Sequence, residues 1–124
     1  MTTITMKQKE APEMVIPQKI QQAASLYGVV SGLTTVGNVP NKKRLKTATK
    51  LLKRFVTLHV GSTGAKDLLS QNQDAVVRTL EYAKINPDLD EKDRKAFFRK
   101  LKEDLLASAE LGLKNLSKEV GCDL

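Results

Sequence analysis

A chain of 124 residues with 40% hydrophobic and 28% charged side chains is long enough to bury a core and too apolar to stay wholly disordered. Aromatic residues make up only 4% and Trp is absent, which argues against a β-sandwich, whose half-buried strands rely on such side chains. The net charge of +7 is unevenly placed: residues 15–66 hold nine Lys or Arg and no acid, whereas residues 67–124 hold ten basic and twelve acidic side chains. An acid-free basic half points to a polyanionic partner, be it nucleic acid, an acidic protein or an anionic membrane surface.

Residues 1–14 show no periodicity and are expected to form a flexible arm, leaving 15–124 as a single helical domain. Pro17 suits the first turn of a helix, and Ile20, Ala23, Ala24, Tyr27 and Val30 then recur at helical spacing, predicting a helix over roughly 17–36. The turn formers Gly37, Asn38, Pro40 and Asn41 end it. A second helix is predicted over 43–60. At 100° per residue, Leu45, Ala48, Leu51, Leu52, Phe55, Val56 and Leu58 share an arc of about 160°, opposite Lys43, Lys46, Lys50, Lys53 and Arg54.

Gly61 is placed to stop that helix, and Ser62 or Thr63 to cap a third over 63–85, with Ala65, Leu69, Val76, Leu80 and Ala83 inward. Asn86-Pro87 ends it, because the residue before Pro avoids helical geometry. Asp88 and Glu91 match a capping box for a last helix over 90–120. Phe98, Leu101, Leu105, Ala109, Leu113, Leu116 and Val120 step along it by three or four, and Gly121 offers a stop. The fold class is therefore all-α, a small bundle of about four helices.

The strongest functional feature is the basic stripe Lys42, Lys43, Arg44, Lys46, Lys50, Lys53 and Arg54. Lys and Arg at helical pitch attract phosphates because binding releases condensed counterions. Its neighbourhood lacks exposed aromatics for stacking on single-stranded bases, and the helix after Gly61 opens with Asp67 rather than a groove-reading side chain. A non-enzymatic protein contacting duplex phosphates is the leading expectation. A protein–protein module (adaptor, inhibitor or self-assembling subunit) and a binder of anionic membrane surfaces are the alternatives.

Residues 20–41 carry no charge, and Gly28 and Gly32 form a GxxxG spacing that lets helices approach closely, within the bundle or in a homo-oligomer. The run superficially resembles a membrane span. Gln21, Gln22, Ser25, Ser31, Thr34, Thr35, Asn38 and Pro40 interrupt it and argue against insertion. His59 falls on the apolar arc of the second helix, beside Phe55 and Val56, and is expected to pack there, although an imidazole can also act as a pH switch.

Gly61-Ser62-Thr63-Gly64-Ala65-Lys66 has the composition of a phosphate-cradling loop but not its spacing: two residues separate the glycines instead of four, and a helix precedes instead of a strand. Capping and chain reversal account for the same residues, with phosphate held at a helix N-terminus as the sharper reading. Asn86, Asp88 and Asp90 alternate like a calcium loop, yet Phe97 stands where the bidentate Glu belongs. No metal site or cofactor is expected. Cys122, the single cysteine, has no internal disulfide partner and no neighbouring base. With no signal-peptide pattern at the N-terminus, a reducing, cytoplasmic setting is the expectation.

Overall fold

The computed structural model describes residues 17–36 and 39–121, so the expected arm at 1–14, Gly37, Asn38 and Cys122 lie outside the described residues. Three helices follow in order: α1 (Gln18–Val36), α2 (Lys42–Ile85) and α3 (Glu91–Val120), with no strand among the described residues. The all-α class follows directly. The count of about four is corrected to three. The expected second and third helices are one element, α2, broken only by Gly61 at φ 83°, ψ 165°. A glycine in that backbone region turns the chain in a single residue, so no loop and no separate cap intervene.

Each helix packs against both of the others, and α1 packs most extensively on α2. The buried positions of α1 include Ile20, Ala23, Ala24, Gly28, Val30, Ser31, Gly32 and Leu33. At 100° per residue they cover about 260° of its circumference. A helix covered on most sides has no room for charge, and this explains the uncharged run from Ile20 to Asn41. No described helix is long and apolar enough to cross a membrane.

Three hydroxyls in the second half of α1 are satisfied locally. Buried Ser31 donates to the Tyr27 carbonyl at 2.6 Å, while Thr34 and Thr35 donate to the Ser31 carbonyl at 2.9 and 2.8 Å. Such back-bonding lets a hydroxyl enter a helix interface without an orphaned donor.

Gly28 and Gly32 both face α2. A Cβ built on Gly28 falls 2.6 Å from the Asn72 carbonyl oxygen, and one on Gly32 falls 2.7 Å from Cγ1 of Val76. The GxxxG pair thus serves a close approach inside the chain, and the Gly28 face is covered by α2 rather than open to a second copy.

One continuous core joins Leu33 of α1, Leu45, Leu52, Val56, Leu69 and Leu80 of α2, and Ala109, Leu113 and Leu116 of α3. The wheel positions of Leu58 and His59 mislead. Leu58 is 81% exposed and His59 is also exposed, although both lie on the apolar arc. The break at Gly61 follows within three residues and ends the regular packing face before that arc meets a partner.

The helix ends show which local signals act. Pro17 lies just before α1, and its carbonyl accepts from the Ile20 and Gln21 amides at 3.0 and 3.1 Å. Asn41 precedes α2 in the left-handed region at φ 58°, a conformation Asn tolerates better than most residues. The expected pairing of Asp88 with Glu91 is corrected. Asp90 caps α3, its Oδ1 accepting from the Asp93 amide at 2.8 Å, while the Asp88 amide donates to Asn86 Oδ1 in an Asx turn. Asp90 wins because it directly precedes the first helical residue, where its carboxylate reaches the third amide. Gly121 closes α3 at φ 74°, donating its amide to the Ser117 carbonyl at 2.9 Å.

Candidate nucleic-acid interface

The first part of α2, residues 42–60, buries Leu45, Ala48, Leu52 and Val56 against the core. Registry with that buried face fixes the opposite side toward water, and Lys42, Lys43, Arg44, Lys46, Lys50, Lys53 and Arg54 are all exposed. Six of them occupy an arc of about 120° on the helical wheel. From Lys42 to Arg54 the row runs about 18 Å along the helix, a length over which duplex DNA presents about ten phosphate charges.

Arg44 departs from this row. It turns toward α3, where its guanidinium lies 3.3 Å from Glu110 Oε1, both side chains being about two-fifths exposed. Exposed pairs of this kind contribute about 0–1 kcal/mol. Lys42, Lys43, Lys46, Lys50, Lys53 and Arg54 have no carboxylate within 4.0 Å among the described residues. The other ion pairs, Lys95–Glu91 and Lys100–Asp104, are local i,i+4 pairs on α3. Glu91 and Asp104 pair within their own helix, and Glu110 reaches the stripe at Arg44.

The stripe also sits at the unfavourable end of its helix. α2 has no acid in its first turn and opens with Lys42, Lys43 and Arg44. Cations there oppose the positive pole of the macrodipole, while an anion beside them would be favoured. Lys43→Glu should therefore raise the melting temperature by about 2–4 °C while weakening any polyanion binding. Thermal unfolding with a binding assay on the same samples checks both signs. A variant that loses stability would show the macrodipole argument to be wrong.

The neighbouring hydroxyls do not compete for this face. Thr47 donates to the Lys43 carbonyl at 3.1 Å and Thr49 to the Leu45 carbonyl at 2.8 Å. Among the described residues no fully exposed aromatic ring stands beside the lysines, and Tyr27, which lines a groove with Lys53, is half-buried. Phe55 is half-buried, and the exposed Tyr82 and Phe97 belong to the end of α2 and the start of α3. The surface thus offers charge at helical pitch without a stacking platform.

One further lysine, Lys66, lies just beyond Gly61, ahead of the first acid after the break, Asp67. Lys53 and Lys66, from opposite sides of the break, line one groove with Tyr27, Thr57, Ser62 and Ser70. This convergence escapes a reading by element, because it depends on the angle between the two parts of α2. The one sequence signal for it is the glycine–hydroxyl–lysine composition of residues 61–66.

At the other end of α2, the Phe98 ring lies under the ammonium groups of Lys84 and Lys102, at 5.7 and 4.7 Å from its centroid. Lys84 thereby ties the end of α2 to α3, while Lys102 reaches the ring from within α3. Among the described residues no group of three or more His, Cys, Asp or Glu side chains is placed to hold a metal ion. No protein-family model matches the chain, and no curated protein or solved structure gives a significant match.

Proposed function

We propose that this protein is a non-enzymatic helical binding protein whose α2 stripe contacts the phosphates of a nucleic-acid duplex. The observation that carries this reading is the row Lys42, Lys43, Lys46, Lys50, Lys53 and Arg54, exposed on one face of a helix anchored to the core and unpaired among the described residues. Phosphate contacts position a protein on the duplex without reading bases, so binding should be weakly sequence-selective. The absence of an exposed aromatic beside the stripe favours duplex over single strand.

The charge-reversal variant Lys50→Glu/Lys53→Glu tests the proposal by fluorescence anisotropy with a labelled duplex. Affinity should fall about 10- to 100-fold near 0.1 M salt, and the slope of log K against log salt should flatten by about 2, one unit for each phosphate no longer neutralised. Equal affinity in variant and parent would remove the stripe from the mechanism. Parental binding that ignores salt would do the same. Both substitutions lie on exposed positions, so the helical circular-dichroism signal should be unchanged and a loss of binding is attributable to charge.

A further inference from the structure

We infer that the groove at the α2 break is a binding site for a phosphate monoester, the terminal phosphate of a nucleic acid or that of a small phosphorylated molecule. In an unbroken helix Lys53 and Lys66 would stand about 20 Å apart along the axis. The backbone of Gly61 folds the two parts of α2 so that both lysines line a single groove of about 440 Å³. Tyr27 of α1 completes the wall, and Ala65 and Leu69, both buried, form the apolar floor. No carboxylate among the described residues lines it, and the adjacent Asp67 is not part of the lining.

The hydroxyls of the lining add further donors to the lysines. Thr34, Thr35, Thr47, Thr49 and Thr79 all return their hydroxyl to a helix carbonyl three or four residues back. Thr57, Ser62, Ser70 and the Tyr27 phenol make no such bond, nor any other among the described residues. Two lysines and four hydroxyl-bearing side chains lining one groove carry the donors that a doubly charged, multi-acceptor phosphate oxygen set requires. The site stands on its own lining. Only its link to nucleic acid rests on the stripe reading, through Lys53, which belongs to both.

The test is titration of the ¹⁵N-labelled full chain with inorganic phosphate, against chloride at matched ionic strength. Amide shifts should concentrate at Thr57, Ser62 to Lys66 and Ser70. Lys66→Gln and the near-isosteric Thr57→Val should each weaken phosphate binding about tenfold, the expectation for one lost charge-assisted hydrogen bond, while Lys114→Gln, exposed on α3 and outside both groove and stripe, leaves it unchanged. Shifts spread evenly from Lys42 to Arg54, or phosphate binding indifferent to both groove variants, would overturn the inference.

A second arm compares duplexes ending in 5′-phosphate and 5′-hydroxyl. Tighter binding of the phosphorylated end, abolished by Lys66→Gln, assigns the groove to nucleic-acid ends. Equal binding of the two, with the localised phosphate response retained, assigns it to a small phosphate monoester. Failure of the stripe reading shows separately, as duplex affinity indifferent to Lys50→Glu/Lys53→Glu.

Discussion

Replacing Gly28 with alanine should destabilise the protein by about 2–3 kcal/mol, even though alanine is the better helix former by about 1 kcal/mol. The added methyl would lie 2.6 Å from the Asn72 carbonyl oxygen and 2.7 Å from its carbonyl carbon. Those are backbone atoms of α2 and cannot rotate aside. The two helices must separate, and the packing of Leu33 and Leu69 near the same seam loosens with them.

Gly112→Ala is the matched control. Its methyl would meet Cδ2 of Leu26 at 2.5 Å, but that is the far end of a flexible side chain that can change rotamer. The gain in helix propensity then roughly offsets the adjustment, and the change should stay within about 1 kcal/mol of zero. Urea unfolding followed by circular dichroism separates the two: a lower midpoint at unchanged slope for Gly28→Ala, equivalent to a fall of about 10 °C in melting temperature, and almost none for Gly112→Ala. Equal effects at both sites would refute the assigned α1–α2 packing.

Substitution at Gly61 should cost about as much for a different reason. Nothing lies within 4 Å of a Cβ built there, so sterics with neighbours play no part. The cost is conformational: φ 83° with ψ 165° belongs to a region essentially reserved for glycine, and an L-alanine held there is strained by about 1–3 kcal/mol. The chain cannot escape by straightening. Leu45, Leu52 and Val56 before the break and Ala65, Leu69 and Leu80 after it belong to the same core. A straight α2 of 44 residues would extend about 66 Å, more than twice the length of the 19-residue α1 that it covers.

D-alanine, introduced by chemical ligation, prefers positive φ and should keep most of the parental stability. L-alanine should lower the denaturation midpoint by the equivalent of about 2 kcal/mol. If both enantiomers behave alike, the break does not have this backbone geometry.

Much of the fold can be read from spacing and punctuation. Ile20, Ala23, Ala24 and Val30, and likewise Leu45, Ala48, Leu52 and Val56, are buried where a 3.6-residue period places them. Pro87 and Gly121 stop their helices through local backbone chemistry that needs no tertiary context. What escapes such a reading depends on how elements meet. His59 and Leu58 lie on the apolar arc by wheel geometry, yet the break at Gly61 leaves them without a partner.

The contact of Leu26 with Gly112 of α3 is likewise set by how α1 and α3 meet. The stripe is legible because it lies on one helix. The exit of Arg44 to Glu110 and the meeting of Lys53 with Lys66 are not, since each joins segments whose mutual angle no local pattern encodes.

The placement of α1 between its two partners also governs how the chain fares while it is being made. α1 is made before α2 and α3, and its charge-free stretch from Ile20 to Val36 precedes the helices that cover it. At ordinary elongation rates roughly 2–10 s pass before Ile85 is added and the whole of α2 exists to cover it. For that interval the nascent chain carries the apolar positions Ile20, Val30 and Leu33 uncovered, which the finished molecule buries.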